Sequence, residues 1–111
     1  MKIFSNRRSV EIKVKKVSEI GKFIGLMFKS KNTEILLFEF EGKLSIHSFF
    51  VFFDFLAVWL DEKNRIIELN VVKPFTPSVK SPKLAKKLIE ISFNDENKNL
   101  IKNLVGKERF K

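Results

Sequence analysis

The chain of 111 residues contains no cysteine and no tyrosine, only three prolines and four glycines, and a single histidine and a single tryptophan. Without cysteine there is no disulfide, no thiolate metal ligand and no thiol nucleophile, so the fold rests on its core alone. That usage suits a reducing compartment. The N-terminal run Met1-Lys2-Ile3-Phe4-Ser5-Asn6-Arg7-Arg8 also lacks the apolar stretch of an export signal, and a cytoplasmic location is expected. The longest apolar run, Phe49 to Leu60, is broken by Asp54 and falls well short of the roughly 20 residues a spanning helix needs. It reads as a core segment, and no membrane partner is expected.

What is present is a globular balance of 44% apolar and 32% charged residues, which excludes intrinsic disorder. No linker, repeat or low-complexity tract divides the chain, so residues 1–111 are expected to form one domain. The formal charge is +9, unevenly spread: residues 1–31 hold nine basic and two acidic groups, residues 32–70 three and seven, residues 71–111 ten and four. Two basic flanks around an acidic middle can attract nucleic acid or another polyanion. The plainer reading is a lysine-rich composition spread over solvated faces.

Val10, Ile12 and Val14 alternate with Glu11, Lys13 and Lys15, the period of a strand with one wet face. Ser18 is placed to cap a helix carrying Ile20, Phe23, Ile24 and Met27 on one stripe. The runs Glu34 to Phe40 and Lys43 to Ser48, separated by Glu41-Gly42, predict a hairpin. A second is predicted from Leu56 to Leu60 and from Arg65 onward, joined through Asp61-Glu62-Lys63-Asn64. Pro74, Pro77 and Pro82 exclude an interior strand over Lys73 to Lys83. Ile89, Ile91 and Phe93 alternate with Glu90 and Ser92 as a fifth strand, and Asn94 and Gly106 bound a last helix through Leu100, Ile101, Leu104 and Val105. The fold class expected is α+β: a mostly antiparallel curved sheet or small β-barrel with one or two peripheral helices.

Gly25-Leu26-Met27-Phe28-Lys29, followed by Leu37-Phe38-Glu39-Phe40, resembles the Gly-Leu-Met-Phe-Arg opening of the domain-of-unknown-function family number 192, a family without assigned activity. Ile46-His47-Ser48-Phe49-Phe50, Trp59-Leu60-Asp61, Lys73-Pro74-Phe75 and Leu88-Ile89-Glu90-Ile91 are similar to later segments of that family in the same order, over about residues 17–92. The resemblance implies a compact, mostly antiparallel β fold with flanking helices and no particular chemistry. Two positions depart from the pattern. Lys29 stands where the family has arginine, which keeps the charge without the planar fork. Leu56 falls where it has aspartate, and Asp54 lies two residues earlier, on the same strand face.

Three polar residues embedded in these segments are candidate ligand-binding groups: Lys29, His47 and Asp54. His47 has no partner legible by spacing, and a lone imidazole neither catalyses nor binds a metal unaided; an exposed or structurally bonded histidine is the plainer reading. Asp54, inside Phe49-Phe50-Val51-Phe52-Phe53-Asp54-Phe55, is costly to bury unless paired, and a structural role against Lys29 or backbone donors is favoured. The phenylalanine run itself reads as core, with an exposed patch for a partner as the second reading. Trp59 reads as a core or rim residue. No phosphate-cradling glycine loop, zinc motif or nucleophile elbow is present, so no catalytic residue, metal or cofactor is expected. The function expected is a non-enzymatic binding or interaction domain of unknown ligand, with sequence-independent nucleic-acid binding through the basic flanks as the alternative.

Overall fold

The run Phe55-Leu56-Ala57-Val58-Trp59-Leu60 is apolar at every position, and all six residues are buried. Such a strand must lie inside a sheet covered on both faces. In the computed structural model, which describes residues 1–5, 8–17, 26 and 29–106, it is the sixth of nine strands. In chain order they are β1 (Lys2–Ser5), β2 (Arg8–Glu11), β3 (Lys15–Lys16), β4 (Leu36–Glu39), β5 (Ser45–Ile46), β6 (Phe55–Leu60), β7 (Ile66–Val72), β8 (Val79–Lys80) and β9 (Lys87–Ser92), followed by helix α1 (Lys98–Val105). The main sheet has the order β3-β4-β9-β6-β7, antiparallel except for the β3–β4 pair, and β1-β2 and β5-β8 form two small antiparallel sheets. The α+β class with a mostly antiparallel sheet is as the pattern predicts. Among the described residues the main sheet does not close into a barrel, since β3 and β7 are its two edges.

Alternation along β6 divides the core. Leu56, Val58 and Leu60 join Leu37, Ile89 and Ile91 on one face, beneath Ile3 and Ile12 of the β1-β2 region and Ile101 and Leu104 of α1. Phe55, Ala57 and Trp59 join Leu36, Phe38, Val72 and Leu88 on the other, beneath Leu26, Val51 and Ala85. The β6-β7 hairpin follows the sequence expectation, with a bulge between Trp59 and Leu60 and Asn64 at φ 64° in its turn, a conformation asparagine tolerates.

Three expectations are corrected. The segment Val10 to Val14 is not one strand: β2 ends at Glu11 and pairs with β1, while β3 pairs with β4. Its inward alternation survives, because Val10, Ile12 and Val14 all pack on the first core face. The runs around Glu41-Gly42 do not form a hairpin. Both edges of β4 are taken, by β3 and β9, so the chain turns away at Gly42 (φ 71°) and β5 pairs with β8 instead. Finally, β9 is not half-exposed. It lies between β4 and β6, and its polar alternates Glu90 and Ser92 point into the second core layer, 5% and 1% exposed.

Lys73 to Lys83 contains no interior strand, and β8 belongs only to the small sheet. Helix α1 buries Ile101 and Leu104 as its stripe predicts, and Gly106 ends it at φ 88°. The helix begins about one turn later than predicted: Asn97, not Asn94, takes the N-cap position, and Asn94 Oδ1 accepts the Asn97 N–H at 2.7 Å in the turn before it. The helix expected after Ser18 lies outside the described residues.

Candidate functional site

Two turns, one leaving β5 and one leaving β7, meet at Ser48, which has no exposed surface. The Ser48 N–H donates to Thr76 O at 2.9 Å, and Ser48 O accepts the N–H groups of Phe75 at 2.9 Å and Val51 at 3.2 Å. Its hydroxyl donates to Lys73 O at 2.5 Å and accepts the Thr76 N–H at 2.6 Å. Thr76 Oγ1 also donates to Lys73 O, at 2.8 Å. A single small polar residue thus satisfies the backbone of both turns where no water reaches it, as a buried hydroxyl must.

Each turn carries a phenylalanine in the left-handed region, Phe50 at φ 60° and Phe75 at φ 59°. For a bulky residue this costs roughly 1–2 kcal/mol. The two rings meet edge to face at 6.4 Å, and Phe75 meets Phe52 the same way at 5.5 Å. All three are open to solvent: Phe50 46%, Phe52 65% and Phe75 49%. Phe49, 41% exposed, lies beside the His47 ring at 5.1 Å. The reading of this run as core is therefore corrected in half its members. Val51 and Phe55 are buried, and Phe53 packs on the second core face. Phe49, Phe50 and Phe52 are displayed instead. Phe50, Val51 and Phe52 are all apolar, so nothing in the sequence separates the displayed rings from the buried valine.

His47 is exposed, and its Nδ1 accepts the Phe49 N–H at 3.2 Å. Asp54 pairs with Lys73 Nζ at 2.7 Å, not with Lys29; both side chains reach solvent. Through Ser48 and Lys73, His47 and Asp54 flank the two turns. Lys29 is exposed; its N–H donates to Leu26 O at 3.1 Å, and Lys31 O, two residues on, accepts Ser92 Oγ at 2.6 Å. No described hydrogen bond, ion pair or ring contact joins any two of Lys29, His47 and Asp54.

Among the described residues, the buried carboxyl is that of Glu90. Its cross-strand neighbours are Leu36 and Ala57, no described residue donates a hydrogen bond to it, and burial pushes its pKa up to about 8. The same signal that drew suspicion to Asp54, a carboxylate inside an apolar run, applies to Leu88-Ile89-Glu90-Ile91. Trp59 is fully buried, and its Nε1 donates to Asn70 Oδ1 at 2.7 Å. Among the described residues, no group of three His, Cys, Asp or Glu side chains is placed to hold a metal ion, and no helix is long and apolar enough to cross a membrane.

No family model matches the chain, and no curated protein does. Two solved structures are similar to it. One is a protein of unknown function from Novosphingobium aromaticivorans DSM 12444, at 10% identity and a TM-score of 0.72, over 89% of this chain and 75% of that one. The other is a protein from Sinorhizobium meliloti 1021 proposed to be a transcription regulator, at 16% identity and a TM-score of 0.72, over 89% and 81%. At these identities the likeness is one of fold.

Proposed function

We propose that the chain is a non-enzymatic binding domain whose contact surface is the ridge of Phe50, Phe52 and Phe75, with His47, Lys73 and Asp54 at its margin. The observation that carries this reading is the left-handed backbone of Phe50 and Phe75. Glycine or asparagine would relieve that cost, and a buried serine holds both turns so that the strained residues face solvent. Strain kept at an exposed position is a signature of a working surface, and apolar side chains gathered on a surface mark an interaction site. Membership in family number 192 is proposed beside it, since two segments that carry the resemblance, Ile46 to Phe50 and Lys73 to Phe75, are the two turns joined through Ser48.

The test is the triple variant Phe50→Gly, Phe52→Ser, Phe75→Gly, followed by thermal unfolding and by binding of an anilinonaphthalene sulfonate dye. The variant is expected to melt no lower than the unsubstituted chain, since glycine relieves the left-handed backbone at two positions, and to lose dye binding. A loss of several kcal/mol would assign the rings to the fold and end the reading. Substituting Lys29→Ala, His47→Ala and Asp54→Asn in the same assay tests how far the surface extends beyond the ridge.

A second reading, sequence-independent nucleic-acid binding through the basic flanks, draws support from the charge of +9 and from the fold shared with a protein proposed to be a transcription regulator. Titration with RNA and DNA at rising salt tests it, because phosphate contacts weaken steeply as counterions compete.

A further inference from the structure

We infer that β7 is the joint of a weak homodimer, in which two copies of the chain pair their β7 edges antiparallel and run their main sheets into one. This goes beyond the reading of the phenylalanine ridge and does not depend on it. The main sheet ends on two strands of very different character. β3 has two residues, both lysine, and a short, lysine-bearing edge resists pairing. β7 runs over seven residues, Ile66–Val72, with no lysine, proline or glycine and one charge, Glu68. Its Ile67 and Val71 side chains are exposed. A long apolar edge with unpaired backbone groups is a template for another strand.

The hydrogen-bond pattern identifies the unpaired groups. Phe93 N–H donates to Asp54 O, so Phe55 and Ser92, which lie opposite each other, direct their own N–H and C=O groups away from one another. Those of Phe55 therefore meet β7 at Val72, and alternation along the strand turns the groups of Val71 and Leu69 outward. Among the described residues none bonds to them. The open length is bounded at both ends. Phe4 lies against Arg65, its N–H donating to Asn64 O at 2.9 Å, and Pro74 lacks a donor. The antiparallel alignment that pairs all of Ile66–Val72 with the same residues of a second copy is centred on Leu69. It sets Leu69 against Leu69 of the second copy, outward groups to outward groups. Ile67 falls against Val71 of the second copy, so the exposed apolar side chains cover one another. Glu68 falls against Asn70 of the second copy. Asn70 Oδ1 is taken by the Trp59 indole, which leaves its amide nitrogen to donate to that carboxylate. No like charges stand opposite each other within the strand, and the cations at its two ends already have partners, Arg65 with Asp61 and Lys73 with Asp54. An edge that matches itself in length, bonding pattern and charge selects a second copy over an unrelated strand.

The experiment is sedimentation equilibrium of the full chain from about 5 µM to about 500 µM, a range that brackets the dissociation constant of about 10–100 µM expected of so small an interface. Each copy carries +9, so association is expected to strengthen with salt. The double variant Ile67→Lys, Val71→Lys sets lysines opposite one another at both exposed pairs and is expected to weaken association at least about tenfold. Ile67→Glu, Val71→Lys makes both pairs opposite in charge and is expected to restore it. Hydrogen exchange in the unsubstituted chain tests the same register without any substitution. The amides of Leu69 and Val71 are expected to slow as concentration rises, while those of Glu68 and Asn70, already bonded to β6, stay unchanged. A chain that is monomeric throughout the range overturns the inference. So does association that the double-lysine variant keeps, that the charge-paired variant fails to recover while folded, or that leaves the Leu69 and Val71 amides unprotected. Loss of association in the Phe50, Phe52, Phe75 variant, with the double-lysine variant still dimeric, moves the joint to the ridge and overturns this one.

Discussion

The carbonyl oxygen of Ser48 accepts the N–H of Phe75, 27 positions later, at 2.9 Å, while the serine hydroxyl bridges Lys73 O and the Thr76 N–H. Ser48→Ala removes the hydroxyl and leaves the backbone bonds. Lys73 O keeps the Thr76 hydroxyl as a donor, but the Thr76 N–H loses its acceptor. The expected cost is about 1–3 kcal/mol, the desolvation of one orphaned donor and one lost bond, measured as a lower urea midpoint with unchanged slope. A change within about 0.5 kcal/mol, the ordinary range of surface substitutions, would mean that the serine does not fasten the two turns.

Glu90 makes stability depend on pH in the direction opposite to most carboxylates. Its value is raised from 4.5 to about 8, so between these values the folded chain holds a proton that the unfolded chain has released. Stability from this group is fully present below about pH 4.5, falls by up to about 1.4 kcal/mol per pH unit as pH rises, and levels off above about pH 8. Its immediate neighbours on that face of the sheet, Leu36, Ala57, Leu88 and Ser92, carry no charge to offset the desolvation. Glu90→Gln is expected to be more stable than the unsubstituted chain at neutral pH and to lose the slope, in urea melts at pH values across that window. Parallel slopes for the two proteins would sink the assignment.

The two hydrophobic periods in the sequence determine much of this fold. The β6-β7 hairpin, the apolar stripe of α1 and the proline-rich crossing were legible because each depends on local pattern and turn chemistry. Pairing between distant strands was not, because an alternating strand carries no mark of its neighbour: β5 has the pattern of a hairpin partner for β4, yet both edges of β4 are occupied by others. Burial of Glu90 and Ser92 was hidden for a related reason. In a strand covered on both faces, a polar alternate is inward, and only the sheet order shows which strand is central. Of the carboxylates inside apolar runs, Asp54 is paired with Lys73 and Glu90 is the buried one, while His47 and Asp54 flank a ridge whose exposure follows from the Ser48 contacts and not from composition.

Trp59 gives an optical reading of the second core face. Its indole N–H is satisfied only if Asn70 keeps its side-chain oxygen at 2.7 Å. Asn70→Ala leaves that donor buried and unpaired, at an expected cost of about 1–3 kcal/mol. The emission of the single tryptophan should stay blue in the folded variant while its unfolding midpoint falls. An unchanged midpoint would show that the indole finds another acceptor.

Asp61 contributes stability that is lost in acid. Burial tends to raise its pKa, but the backbone N–H groups of Arg65 and Lys63 and the Arg65 guanidinium outweigh it and hold the carboxyl below its ordinary 3.8, through bonds of 3.0, 2.8 and 2.8 Å. A depressed value contributes stability above the unfolded pKa, and that stability is lost as pH falls through the folded one. Asp61→Asn keeps one acceptor for the two turn N–H groups and loses the charge, so it should cost about 1 kcal/mol near neutrality and make stability less sensitive to pH below about 4. Asp61→Ala removes the acceptors as well and should cost more, about 1–3 kcal/mol, because Asn64 must still hold its left-handed turn without them. The two variants separate charge from geometry. If neither loses stability at neutral pH and both keep the unsubstituted acid limb, the turn is held by its backbone bonds alone, between Asp61 N–H and Arg65 O and between Asn64 N–H and Asp61 O.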